Sequence, residues 1–96
     1  MEIKKEVQGE KTTLILNGRL DTSTAPVLER EINELDDDIS LVFDMANLDY
    51  LSSVGLRLLL VTKKRYKDNF SLKNVKAEVL EVLEMTGFAD IIKIEG

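Results

Sequence analysis

Two adjacent serines, Ser52 and Ser53, stand where an apolar segment ending at Leu51 gives way to the leucine-rich run that follows Val54. A strand-to-helix junction of this kind presents unpaired backbone N–H groups and the positive end of a helix dipole, so it suits hydroxyls and phosphates alike. Nucleophilic catalysis by either serine would need an activating base, and the chain holds no histidine and no cysteine. The glycine that precedes the serine of a nucleophile elbow is also missing, as are Gly-x-Gly-x-x-Gly and Walker patterns. The serines therefore read as a helix cap, a modifiable hydroxyl, or one of each, and no residue is assigned as catalytic.

The elements that must position this pair follow from periodicity. Alternation from Ile3 to Val7, a turn over Gln8-Gly9-Glu10-Lys11 and β-favouring residues from Thr12 to Leu16 predict a hairpin. Asn17-Gly18-Arg19-Leu20-Asp21 reads as a bend, and a helix is expected from Thr22 or Ser23, with Pro26 tolerated in its first turn. Leu28, Ile32 and Leu35 continue that helix, and Asp36-Asp37-Asp38 closes it as a solvated loop without EF-hand spacing. Ile39 to Phe43 is a candidate central strand, buried on both faces.

After the serines, a long helix is expected from Val54 to Asn69, its basic end suiting the dipole, and a strand from Phe70 to Val75. A short helix over Ala77 to Met85 stops at Thr86-Gly87; Ala89 to Ile92 adds a turn and Ile92 to Ile94 closes the sheet. The order is ββαβαβα with a short C-terminal element: an α/β domain over residues 1–96, with a mixed central sheet and helices packed on it. On the long helix, Leu56, Leu59, Leu60 and Lys63 form one face, and Val54, Leu58, Val61 and Arg65 lie nearly opposite. The second stripe packs on neighbouring helices or forms a docking patch continuous with Ser53.

Composition narrows the partners. A net charge of −5 argues against direct contact with a nucleic-acid backbone, and no stretch reads as a secretory leader or membrane span. Without cysteine or histidine, thiolate and imidazole metal sites are excluded. The expectation is a cytoplasmic, protein-binding domain with no cofactor and no metal of its own.

Several motifs together carry a family resemblance: Gly18-Arg19-Leu20-Asp21 followed by Thr22-Ser23-Thr24-Ala25; Leu41-Val42-Phe43-Asp44; Leu51-Ser52-Ser53-Val54-Gly55-Leu56; and Met85-Thr86-Gly87-Phe88 with Ile91-Ile92. In this order they resemble the STAS domain of anti-sigma factor antagonists along nearly the whole chain. Aligned on Gly55-Leu56, the family's Asp-Ser-Ser/Thr-Gly-Leu pattern puts Ser53 at the phosphorylated serine, with Ser52 the second choice. Ser52 then stands at the aspartate position and Val54 replaces the second hydroxyl residue.

The resemblance implies a switch that binds an anti-sigma factor when unphosphorylated and so releases a sigma factor. Its implied partners are an anti-sigma factor serine kinase and a metal-dependent serine phosphatase. The partner surface it implies comprises Asp21, Thr22, Ser52, Ser53, Val54, Arg57 and Leu58, with Asp21 equally readable as a helix cap. The alternative is a non-switching STAS module in a signalling scaffold or a transporter-associated complex.

Overall fold

Alternating residues at the N-terminus pair as expected: β1 (Glu2–Gln8) runs antiparallel to β2 (Lys11–Leu20), with Gln8 opposite Lys11. The computed structural model describes residues 1–95. Between the two strands Gly9 takes a φ of +60°, a conformation that glycine adopts without steric cost. There follow α1 (Ala25–Asn33), β3 (Ser40–Leu51), α2 (Ser53–Tyr66), β4 (Phe70–Lys73), α3 (Ala77–Met85) and β5 (Lys93–Glu95). One sheet results, in the order β1-β2-β3-β4-β5, with every pair after the first parallel. Right-handed crossovers between strands in sequential order place all three helices on one face.

That face carries the core. Leu14 and Leu16 of β2, Leu41, Phe43 and Met45 of β3, and Phe70 and Leu72 of β4 are buried with Leu28 of α1, Leu59 of α2 and Val79 and Leu83 of α3. Phe43 and Phe70 meet edge to face at 4.9 Å, a favoured aromatic geometry. The other face alternates with it: Thr13, Val42 and Ser71 lie in one row across β2, β3 and β4 and are buried as well. The central strand is therefore buried on both sides over Leu41–Phe43, as its unbroken apolar run predicts.

Two segments are more regular than their sequence suggests. Asn17 to Leu20 is the end of β2 rather than a bend, and β3 runs on from Phe43 to Leu51. The cause is a pair of register shifts, between Ile15 and Asn17 and between Gly18 and Arg19, where β3 holds more residues than β2. Past Phe43 the buried residues are Met45, Leu48 and Leu51, a spacing of three that hides the strand from any search for alternation. Gly18 sits in this region with a φ of +114°.

Helix limits shift slightly. The first helix starts at Ala25 rather than Thr22 or Ser23, because the Asp21 side chain organises those residues into a turn. The long helix ends at Tyr66, and Lys67–Asn69 forms a 3-10 turn in which Lys67 has a positive φ. Gly87, in the left-handed region, terminates α3 as expected, and a 3-10 turn over Phe88–Asp90 leads into β5. No helix among the described residues is long and apolar enough to cross a membrane.

Candidate functional site

The carboxyl ends of β2 and β3 lie side by side, with Leu20 paired to Leu51, and each strand leads into a helix at this end of the sheet. In parallel α/β sheets this is the edge at which ligands and partners are met. Both α1 and α2 point their N-termini here, so the two dipoles reinforce one another.

At the start of α2 the two serines divide the available roles. Ser52 is the N-cap: its Oγ accepts from the Gly55 backbone N–H at 3.2 Å, and its own N–H donates to the Leu20 carbonyl at 2.9 Å. Aspartate and serine are comparable caps, so Ser52 serves this helix start without placing a negative charge beside Ser53. Ser53, the first residue of the helix, is exposed and makes no side-chain hydrogen bond among the described residues. Gly55 presses α2 onto the strands: a Cβ there would lie 2.7 Å from Leu51 Cδ1 and 2.9 Å from Leu20 Cγ.

The start of α1 is organised by Asp21. Its Oδ1 accepts from the Ser23 hydroxyl at 2.8 Å and from the backbone N–H groups of Ser23 and Thr24 at 3.0 and 3.2 Å. The hydrogen bond from the Ser23 hydroxyl, together with those from the backbone, holds the Asp21 carboxyl below its usual range. Arg19 lies 3.8 Å from the other carboxylate oxygen and stacks on the Tyr50 ring with its guanidinium carbon 4.2 Å from the centroid. Asp21 therefore holds the turn that leads into α1, and Thr22 stands exposed beside it.

Between the two helices runs a groove of about 170 Å³, lined by Thr22, Ala25, Pro26 and Glu29 from the α1 side and by Val54, Arg57, Leu58 and Val61 from α2. Leu58 forms its floor and is only 7% exposed, whereas Val54 and Val61 are 41% and 53% exposed. The rims carry opposite charges, Glu29 on α1 and Arg57 on α2, and neither takes part in an ion pair among the described residues. An exposed hydroxyl and a cationic rim thus lie about one turn apart on α2, and the apolar trough runs on to Val61. Such a surface can seat apolar side chains from another protein.

Comparison with known proteins places this geometry. The STAS domain family model matches residues 2–96. The chain belongs to the STAS domain family. BtrV of Bordetella bronchiseptica, provisionally named an anti-sigma factor antagonist, is 33% identical over 84 residues, which cover 82% of this chain and 72% of BtrV. The crystal structure of an anti-sigma factor antagonist from Mycobacterium paratuberculosis matches with a TM-score of 0.86 at 23% identity, over 97% of this chain and 83% of that one. SpoIIAA matches in its unphosphorylated form with a TM-score of 0.77 at 17% identity, over 99% of this chain and 89% of that chain. Phosphorylated SpoIIAA of Bacillus gives 0.73 at 17% identity, over 99% and 92%. At these identities the solved structures establish the STAS fold.

Within this STAS domain the residues singled out from sequence gather at one end, but not as one uniform surface. Ser53, Val54, Thr22 and Arg57 are exposed, whereas Ser52 caps α2, Asp21 holds the turn before α1 and Leu58 is largely buried. The stripe of Val54, Leu58, Val61 and Arg65 divides in the same way: Leu58 packs inward, Val54 and Val61 line the groove, and Arg65 reaches α1. Sequence reasoning did not single out Pro26 or Glu29, which line the opposite wall. Glu29 falls one residue after the buried Leu28 in the helical pattern, the only signal available for it.

Proposed function

We propose that this chain is an anti-sigma factor antagonist whose grip on an anti-sigma factor is switched by phosphorylation of Ser53. The division of labour between the serines carries the reading: Ser52 satisfies the helix start, which leaves Ser53 exposed next to Val54, a residue that lines the α1–α2 groove. The family membership and the BtrV name support the antagonist role.

In its unphosphorylated form the groove and the Ser53 turn dock on the anti-sigma factor, a serine kinase of the histidine-kinase-like ATPase fold, and a sigma factor is released. That kinase transfers the γ-phosphoryl group of ATP to Ser53 Oγ, with ADP and the hydroxyl proton as the other products. ATP belongs to the kinase, and no cofactor is assigned to the antagonist. A phosphate adds a charge of about −1.5 to −2. The domain tolerates it at a helix start, so the cost falls on the complex, where the dianion must be desolvated against the partner. A metal-dependent serine phosphatase restores the binding form. All of these partners place the exchange in the cytoplasm.

The test is peptide-mapping mass spectrometry after incubation with ATP and each anti-sigma kinase encoded in the same genome. One phosphate on Ser53 supports the reading, and one on Ser52 moves the site by a residue. No phosphate from any kinase on the folded chain would leave a non-switching STAS module.

A further inference from the structure

We infer that Arg57 captures a phosphate on Ser53, and that this capture takes Arg57 off the rim of the groove. The inference deepens the proposed switch and rests on Ser53 being the modified residue. Ser53 and Arg57 stand four residues apart on α2 and both are exposed. At this spacing two side chains are neighbours on the helix surface, roughly 5–6 Å apart at Cβ, and an anion N-terminal to a cation is the favourable order. The guanidinium fork can hold two phosphate oxygens at once.

Two other cations at the carboxyl ends of the strands already have partners. Arg19 is occupied by Asp21 and the Tyr50 ring, and Lys76 by Asp49 at 2.6 Å. Arg57 makes no side-chain hydrogen bond and no ion pair among the described residues. The Ser52 hydroxyl has already satisfied the Gly55 N–H, which reduces what the backbone offers a phosphate. Two carboxylates also line this end of the fold. Asp21 is held by Ser23 and Thr24, and Glu29 lines the groove from α1 with no ion pair among the described residues.

Arg57 is the one cation lining the groove among the described residues. Unphosphorylated, it can meet a carboxylate of the docked protein; phosphorylated, it turns to Ser53. One modification therefore withdraws a positive contact and adds negative charge on the same rim.

The experiment installs phosphoserine at position 53 during translation, so no kinase is needed, and follows its ³¹P resonance through a pH titration in the otherwise unchanged chain, in R57Q and in R57K. The second phosphate ionisation should lie about 0.2–0.4 pH unit lower with Arg57 than in R57Q. R57K should recover part of that difference, and 0.5 M salt should shrink it. Identical titrations in the unchanged chain and R57Q overturn the inference, including the case where both are depressed equally and backbone N–H groups hold the phosphate. Circular dichroism confirms that both variants fold. A kinase that never modifies Ser53 would sink the proposed switch without altering these titrations, so the two failures are distinguishable.

Discussion

The two ends of the α1–α2 pair are built in opposite ways. At the C-terminal end Arg65 donates to the Ile32 and Leu35 carbonyls and pairs with Asp37 at 2.6 Å, and the Tyr66 hydroxyl donates to the Asp36 carbonyl at 2.8 Å. These bonds tie α2 to the last turn of α1 and to the loop that follows it, three of them through backbone carbonyls and one through the Asp37 carboxylate. At the N-terminal end the helices separate around a groove with half-exposed valines and, on its rims, two charges that form no ion pair among the described residues. Arg65 and Arg57 lie eight residues apart on the same helix. One closes the fold; the other lines the groove and pairs with no acid among the described residues.

If that contrast is right, substitutions should separate stability from binding along a single helix. The largest effect is expected from Gly55→Ala, because Leu20 and Leu51 are themselves packed and cannot swing clear of the new methyl group. Urea unfolding should show a loss of about 2–3 kcal/mol. Arg65→Ala should cost about 2 kcal/mol in the same assay by uncapping α1, while leaving phosphorylation of Ser53 unchanged. The serines give the finest test: Ser52→Ala should lose about 1 kcal/mol as a cap, and Ser53→Ala should stay within about 0.5 kcal/mol of the parent. Equal losses from the two serines would erase the division of roles on which the proposed switch depends.

Much of this arrangement is legible in the residues themselves. Ala77–Met85 is helical over the predicted span because its apolar positions and the following Gly87 agree on the same limits. The paired roles of cap and exposed hydroxyl were both open readings of Ser52 and Ser53, since a helix start needs only one of them. What escaped notice has physical causes. The start of α1 is set by a carboxylate three residues upstream of the nominal cap Thr24, so a hydroxyl-rich stretch that reads as helix is a turn. The groove itself depends on how far apart two helices stand, a distance that no single segment encodes. Leu58 and Val61 share one stripe in the sequence, yet α1 covers the first and leaves the second exposed.

The two register shifts in β3 also constrain how chain length can vary. Between Asp44 and Leu51 the strand spends two more residues than β2 does between Ile15 and Leu20. Removing one of them would shift the phase of everything that follows: Leu51 would leave the core and the serine turn would start from the wrong side of the sheet. Length changes here should therefore survive only when matched by a compensating change nearby.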